Sequence, residues 1–476
     1  MKKEYRAHPI MMLSLIKPFL FILIFPLIKA VLQYFIDKQI THILELELII
    51  FLALIIMAFL RYRAYRIYID GETVTVKLGL IIKRTAEIKL SKLSSLQASR
   101  NPLDFIARSV TLSINTEAGT INKSDFKVKM WFKDCKEISS HLYEGEEISK
   151  VRFSALKVAI LSAATSSAFS GIIIGIPILN RAGKLLGIGI SEMLLDELNN
   201  VSSRIETYFP PVVNTMSLIL LLCYAVSFAY SFFKYINFKL LFNEHKLEVR
   251  TGFFTRIRTA FKKTAVNDVM IVQTPLMMFL RKYTMKVSVG GFGEAKSESQ
   301  IVVPAGSYKE IKGDFAEYFP FLVPNGISLR AKNDFLTKSR FLFMPAIYLL
   351  LVLATSITSC LLFADFTRFI FFITLVLLCM VFYYAYISLF EYKYGKIKFG
   401  KSVMAKSTKG FRTCRLYCPK ERIGEIKVTR FFTDFYYGTC RVRITVCSEG
   451  ADTIRVRHLN YYEVMREIYK NFDISE

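Results

Sequence analysis

The sequence has few of the residues that metal sites and covalent catalysis use. It contains five histidines, eight cysteines and one tryptophan in 476 residues. The histidines are scattered, and Cys414 and Cys418 form a lone C-x-x-x-C, whereas a structural zinc site needs four ligands. The chain also lacks a G-x-S-x-G, a P-loop and a G-x-G-x-x-G that opens a helix. We therefore expect no enzyme, no metal site and no cofactor.

Apolar residues, by contrast, are abundant and clustered. The sequence is 53% hydrophobic and contains 41 phenylalanines. About 20 consecutive apolar residues are needed to cross the hydrocarbon core of a membrane. Six segments approach or reach that length, which predicts six transmembrane helices in three pairs: Ile10–Ile36, Ile43–Leu60, Ala155–Leu179, Val212–Phe233, Phe341–Phe363 and Phe369–Leu389.

A block of about 20 residues occurs three times. Residues 95–114 match residues 268–287 at an offset of 173 and residues 425–444 at an offset of 330. Periods this long indicate whole domains in tandem rather than a solenoid. Six positions of the first copy are apolar in nearly every copy, so we expect them in a domain core: Leu96, Leu103, Phe105, Ile106, Leu112 and Ile114.

The surroundings of the block are also repeated. Upstream of it lies a strand, a glycine and a basic strand, as in 74–84 and 247–258, which predicts a β-hairpin. Downstream, a short strand precedes a helix of about three turns, with apolar positions such as Cys135, Ile138 and Leu142. Each copy is therefore a run of short antiparallel strands closed by one C-terminal helix.

The charge distribution predicts the orientation in the membrane. The net charge is +25, and segments 61–154, 234–339 and 391–476 carry +6, +8 and +8 of it. The positive-inside rule places these three segments and both termini in the cytoplasm. Most of the cysteines then lie in spans or in domains that face a reducing compartment, which favours free thiols over disulfides.

Three stretches resemble a known family: the N-terminal "RAHP" (6–9), "RYRAYRIYID" (61–70) and "KLSSLQASRNPLDFIARSVTLSI" (92–114). They are similar to bacterial membrane proteins with pleckstrin-homology (PH)-like domains, of the YdbT-like type with three such domains. The resemblance implies small, bent antiparallel barrels or sandwiches capped by one helix, in a bacterial plasma membrane, and it implies no catalytic activity.

The complete prediction is an α+β integral membrane protein with six transmembrane helices in three hairpins, each followed by a cytoplasmic PH-like domain. The predicted boundaries are 1–60 for the N-terminal segment and first hairpin, 61–150 for domain 1, 151–234 for the second hairpin with an external loop at 180–211, 235–325 for domain 2, 326–390 for the third hairpin, and 391–476 for domain 3.

The basic faces of the domains have two interpretations. They either only retain the domains in the cytoplasm, or they bind anionic lipid headgroups, to which each Lys or Arg near the leaflet contributes about 1 kcal/mol. Nucleic acid is not expected, because topology explains the charge and one tryptophan gives no stacking platform. The candidate headgroup- or partner-binding residues lie on the hairpins after the membrane exits: Lys77, Lys83, Arg84, Arg250, Arg256, Arg258, Lys406, Arg412 and Arg415.

The expected function is a membrane scaffold whose modules bind anionic lipids or protein partners. Rows of small residues such as Ser162, Ser166 and Ser170 favour close helix packing, within the chain or with a membrane protein partner or second copy. The alternative is a transporter or flippase-like protein regulated by its modules. Lys29 is a cation within the first segment, and we favour snorkelling towards the outer interface or pairing with a neighbouring helix over a transport role.

Overall fold

The computed structural model describes the chain in eleven segments and one isolated residue. These are 3–12, 16, 42–70, 73–78, 84–89, 92–116, 126–142, 149–167, 211–289, 299–331, 334–447 and 453–472. The described chain divides into two compact units. The first comprises Met1–Val151, Lys239–Ala265 and Gly290–Lys296, and the second Arg152–Phe238, Val266–Val289 and Ser297–Glu476.

The first unit contains two antiparallel sheets. One has four strands in chain order: β1 (Lys3–Arg6), β2 (Arg66–Asp70), β3 (Thr73–Leu78) and β4 (Arg84–Lys89). The other has seven, in the order β7 (Phe126–Trp131), β6 (Ser109–Thr116), β5 (Leu93–Arg100), β11 (Arg256–Lys262), β10 (Lys246–Thr251), β9 (Lys239–Phe242) and β8 (Ser149–Arg152). Its helices are α1 (His42–Arg63), α2 (Pro102–Ile106) and α3 (Phe132–Leu142).

The second unit also contains a seven-stranded sheet and a smaller one. The larger has the order β14 (Gln300–Gly306), β13 (Tyr283–Val289), β12 (Val266–Gln273), β18 (Arg412–Pro419), β17 (Ser402–Lys409), β16 (Lys396–Lys398) and β15 (Ser328–Arg330). The smaller is β19 (Ile423–Thr429), β20 (Thr439–Val446) and β21 (Thr453–Asn460). Its helices are α4 (Ala155–Thr165), α5 (Pro211–Tyr235), α6 (Pro275–Phe279), α7 (Tyr308–Ala316), α8 (Phe335–Leu362), α9 (Thr367–Tyr394), α10 (Phe432–Tyr436) and α11 (Tyr461–Asn471).

The seven-stranded sheets join neighbouring repeats edge to edge. Strand β5 of the first repeat pairs with β11 of the second, with Leu96 opposite Ala260. Strand β12 of the second repeat pairs with β18 of the third, with Ile271 opposite Arg415. None of the described sheets closes into a barrel, so the barrel alternative of the prediction is wrong. The physical reason is that the edge strand that would close a barrel pairs with the adjacent repeat instead.

Each repeat begins one strand earlier than the sequence indicates. Strand β1 pairs with β2, and β15 pairs with β16, although a long segment lies between the two partners. In the third repeat that segment is the helical hairpin of α8 and α9. The hairpin is therefore inserted between the first and second strands of a sheet. The predicted domain boundaries stay a prediction.

Three described helices are long and apolar enough to cross a membrane: Leu218–Tyr235, Phe335–Leu362 and Phe369–Tyr394. They correspond to the last three of the six predicted spans. The first predicted span lies almost wholly outside the described residues. The second corresponds to α1, which is helical but not among the three.

The third predicted span, Ala155–Leu179, is not a continuous helix in the structure. Helix α4 ends at Thr165, where Ser166 is extended and its hydroxyl donates to the Ser162 carbonyl oxygen at 2.5 Å. Hydroxyl groups that bond to the backbone in this way compete with helical bonds. Eleven residues give a helix of about 16 Å, too short to cross. Residues 168–210 lie outside the described part of the chain.

The repeated block is only partly core. Leu96, Leu112 and Ile114 are buried in the first unit together with Val74 and Val76 of the four-stranded sheet. Leu103 and Ile106, in contrast, are 63% and 84% exposed, so their prediction as core was wrong. Pro102 starts the one-turn helix α2 between β5 and β6, which interrupts the strand alternation.

A left-handed residue follows this short helix in every repeat. Arg108, Arg281 and Gly438 have φ of 54°, 52° and 61° at equivalent positions. Non-glycine residues seldom adopt this conformation. The recurrence of arginine in the first two copies therefore marks a backbone turn, which glycine makes in the third.

Candidate anion-binding site

Four cationic residues form one cross-strand row in the third repeat. Arg330 lies opposite Lys396, Lys396 opposite Lys406, and Lys406 opposite Arg415. Directly opposed residues of an antiparallel sheet project from the same face, and like charges in such pairs destabilise it. The row therefore concentrates four positive charges across β15, β16, β17 and β18.

Lys406 is the most enclosed member of the row. It is 9% exposed, and its Nζ lies 5.0 Å from the Phe390 ring centroid and 4.5 Å from that of Tyr394. Burial lowers the pKa of Lys406 to about 7, and repulsion from Arg415, Lys396 and Arg330 contributes to the shift. Burial also lowers the pKa of Lys396, with repulsion from Arg330 and Lys398. A bound anion would stabilise the protonated, charged form of both lysines.

The far end of the row is held by tyrosines. The guanidinium of Arg415 lies 3.9 Å from the Tyr308 ring centroid and 5.4 Å from that of Tyr283. The hydroxyls of Tyr308 and Tyr417 are 2.8 Å apart. Burial alone would raise the pKa of Tyr308, but its bond to Tyr417 and the charge of Arg415 outweigh burial and lower it. Arg415 is therefore fixed by cation–π contacts.

A cavity of about 750 Å³ opens onto this row. The cavity lies at the ends of the helical hairpin, because Lys338 is near the start of α8 and Lys393 is in the last turn of α9. Five cations therefore meet where two candidate spans join the sheet, and no carboxylate is among the described lining residues. These are Arg330, Ala331, Lys338, Leu389, Tyr392, Lys393, Tyr394, Lys396 and Lys406.

The second repeat has a corresponding row, but an internal carboxylate neutralises it. Lys239 lies opposite Arg250, and Arg250 opposite Arg258. Glu248, which is 2% exposed, accepts from the Arg250 side chain and from Arg258 at 2.5 and 2.9 Å. Burial would raise the pKa of Glu248, but the two arginines outweigh it and lower the pKa. In the third repeat the equivalent position is Met404.

The first repeat resembles the second more than the third. Arg6 lies opposite Arg66, and Arg66 opposite Lys77. Glu4 accompanies this row, with its Oε1 3.4 Å from Arg66 Nη1 and 3.7 Å from Arg6 Nε. The row in the third repeat differs from both others because no acidic side chain is described within its cavity.

The structure brings only some of the nine predicted site residues together. Lys406 and Arg415 share the row of the third repeat, and Arg250 and Arg258 share Glu248. Four of the other five lie apart from these pairs, and the fifth is not described. Lys77 is exposed, with its Nζ 5.1 Å from the Tyr68 ring centroid, and the guanidinium of Arg256 lies 4.9 Å from the Phe105 ring centroid. Arg412 is exposed and lies opposite Lys409. Arg84 is described only as part of β4, and Lys83 lies outside the described residues.

Sequence reasoning missed Arg330 and gave Lys396 only a topological role. The signal for Lys396 was its place directly after a span, two residues beyond Tyr394. Arg330 has no comparable signal. Four residues separate it from the start of α8, and it joins the row only because β15 pairs with β16. Cys414 and Cys418 are buried on β18, and burial raises the pKa of Cys418. No group of three or more potential metal ligands occurs among the described residues.

Comparison with known proteins agrees with the repeated sheet-and-helix architecture. The family model of the bacterial PH domain matches residues 13–145 and 193–312, which together exceed half of the chain. The third repeat lies outside the matched ranges. Neither a curated protein nor a solved structure gives a match. Because this match covers more than half of the chain, the chain belongs to the bacterial PH domain family.

Proposed function

We propose that this chain is an integral membrane scaffold whose third repeat binds the headgroup of an anionic phospholipid. The carrying observation is the row of Arg330, Lys396, Lys406 and Arg415 beside a cavity with no described carboxylate. A phosphate group placed there would relieve the repulsion within the row. It would also accept charge-assisted hydrogen bonds, which are stronger than neutral ones.

The location of the cavity favours a lipid over a soluble anion. Lys338 and Lys393 belong to α8 and α9, two of the three described helices that are apolar enough to cross a membrane. The cavity therefore lies at the ends of the spans, where a headgroup can enter from the leaflet. Tyr392 and Tyr394 add aromatic groups of the kind enriched at membrane interfaces.

The proposal includes the orientation that the charge distribution predicts. With α8 and α9 crossing the membrane as a hairpin, the three basic repeats and both termini would lie on the cytoplasmic side of a bacterial plasma membrane. There the leaflet is anionic and attracts basic segments near the surface. The repeats would hold lipids or protein partners, and we assign them no catalytic role. Transport remains the alternative, and no described observation favours it.

The test uses the full chain in detergent and native mass spectrometry to count bound phosphatidylglycerol against phosphatidylcholine. A double variant with Lys396→Gln and Lys406→Gln should weaken phosphatidylglycerol binding by about tenfold or more. The matched control is Lys401→Gln with Lys420→Gln, which removes the same charge from the β16–β17 turn and the end of β18. That control should bind as the parent does.

Three results would overturn the proposal. Equal lipid binding by the two double variants would show that the row is not the site. Equal counts of the two lipids on the parent chain would show that charge is not recognised. Displacement of phosphatidylglycerol by millimolar inorganic phosphate would identify a soluble phosphate compound as the ligand.

A further inference from the structure

Three turns or short helices of the second unit carry exposed aromatic side chains, and we call them apolar tips. Phe279 on α6 is 87% exposed, and Phe432 and Tyr436 on α10 are 91% and 85% exposed. Phe411, at the turn between β17 and β18, is 47% exposed. Side chains of this size and exposure usually mark a contact surface when they are grouped.

Two of these tips lie beside a candidate span. The hydroxyl of Tyr383 on α9 is 3.7 Å from Met278 Sδ and donates to the Phe411 carbonyl oxygen at 3.2 Å. The rings of Tyr383 and Phe411 are 5.7 Å apart between centroids. Tyr383 lies 11 residues before the end of α9 at Tyr394, which is about 16 Å along a helix axis. Phe279, next to Met278, and Phe411 are therefore beside the membrane-crossing part of α9 rather than below it.

The third tip is fixed to the other helix of the same hairpin. Arg340, in the second turn of α8, binds the buried carboxylate of Asp434 on α10. It also donates to Thr439 Oγ1 at 2.9 Å and lies 5.0 Å from the Tyr437 ring centroid. Helix α10 is thereby held at the level where α8 enters the predicted apolar segment.

From these contacts we infer that the three tips lie within the membrane interface, with the hydrocarbon side of the headgroup region as their partner. Phenylalanine and tyrosine are the side chains that this zone accommodates, about 5–10 Å into the headgroup–acyl boundary. The tips would insert as apolar wedges around α8 and α9. This function goes beyond headgroup binding, because it requires no anionic lipid.

The test measures contact with acyl chains. Trp131 is the only tryptophan, so Trp131→Phe gives a background without intrinsic tryptophan. Phe432→Trp and Phe279→Trp are then placed singly in that background, and Ile327→Trp serves as control. Ile327 is an exposed apolar residue, 59% exposed, at the end of β15 that points away from the spans. Each variant is reconstituted in nanodiscs of phosphatidylcholine with brominated acyl chains.

Fluorescence of the two tip variants should be quenched by about half or more relative to unbrominated lipid, with a blue-shifted emission maximum. The control should lose about a tenth or less. Unquenched, red-shifted emission at both tips would overturn the inference. A blue shift without quenching would also overturn it, because it would show that protein covers the tips. The lipid is zwitterionic and carries no net charge, so failure here leaves the headgroup test intact, and the reverse also holds.

Discussion

Arg457 on β21 and Glu391 in the last turn of α9 form a buried ion pair that joins the last span to the last sheet. Glu391 is 3% exposed and accepts from Arg457 Nε at 3.1 Å, with a second bond from Nη2. Ser407 and Thr408 of β17 also donate to Glu391, at 3.1 and 2.9 Å. The carboxylate therefore has partners on two strands, and the span has no free linker to the sheet.

Breaking this pair should be costly. We expect Arg457→Gln to lower the free energy of unfolding by about 3–5 kcal/mol, because it leaves Glu391 buried without its cation. Thermal unfolding of the full chain in detergent measures the loss. Arg455→Gln is the control, since Arg455 is an exposed residue on the same strand. A second variant, Glu391→Gln with Arg457→Gln, should recover part of the loss, and equal melting of all variants would contradict the pair's role.

The low pKa of Lys406 makes stability depend on pH. The unfolded lysine binds its proton up to a pH of about 10.5, whereas the folded one releases it at about 7. Between these values the unfolded state binds more protons, so stability rises with pH by up to about 1.4 kcal/mol per unit. Melting of the parent and of Lys406→Met, compared at pH 7 and 9, should show this slope in the parent and a smaller one in the variant. An identical slope in both would contradict the assignment.

Anion binding to the third repeat should weaken over the same range of pH. A bound phosphate favours protonated Lys406, so its loss of charge above about pH 7 removes one partner of the anion. Phosphatidylglycerol retention measured at pH 6.5 and 8.5 should fall in the parent. In Lys406→Arg, whose charge persists, it should stay nearly constant. A parallel fall in both would assign the pH effect to another group.

The comparison of repeats gives a reciprocal test of the carboxylate. Met404→Glu would place in the third repeat the acid that Glu248 supplies in the second, since both lie two residues before the central cation of the row. We expect this variant to reduce phosphatidylglycerol binding by about tenfold, because the internal carboxylate competes for the row. Met404→Gln is the matched control without charge. Retained binding in Met404→Glu would show that the row is not limiting.

Removing the natural carboxylate of the second repeat should destabilise the fold. Glu248→Gln leaves Arg250 and Arg258 facing each other without a shared anion, which should cost about 3–5 kcal/mol. Thermal melting measures the loss, with Glu244→Gln in the preceding turn as control. A melting temperature equal to that of the parent would show that solvent screens the two arginines.

Topology has a direct assay. Reporter fusions after Phe153, Tyr318 and Glu476 should report cytoplasm, and one near Asn200 should report the opposite side, because the basic segments flank the first three positions. An external signal at Tyr318 would rule out three consecutive hairpins.

Much of the fold could be predicted from local pattern, because hairpins and helices are encoded in short stretches. The offset of 173 correctly aligned Arg250 with Lys77, and these two residues do occupy equivalent cross-strand positions. The strands β1 and β15 have only four and three residues, so their periodicity could not be recognised. The strands with which they pair, β2 and β16, follow only after a long intervening segment, and sequence patterns do not reveal pairing between strands so far apart in the chain.

The errors at Leu103 and Ile106 have a different origin. An apolar residue recurring in most copies was taken as core, but recurrence equally fits a repeated apolar tip on the outside. The same limit affected the site. Lys406 and Arg415 were recognisable as basic positions of a hairpin, whereas the lack of an acid among the described lining residues of the cavity depends on Met404 and on the register of four strands.

In the proposed topology, the hairpin inserted between β15 and β16 couples membrane insertion to sheet formation. Arg330 and Lys396 would then pair only after the chain had left the sheet, crossed the bilayer twice and returned to the same side. Neighbouring strands are about 4.8 Å apart, so the start of α8 and the end of α9 must return close together. If one span fails to insert, β15 and β16 end on opposite faces of the membrane, and both strands keep unpaired backbone groups. In that topology, a chain with the wrong number of crossings would leave this edge of the sheet unpaired.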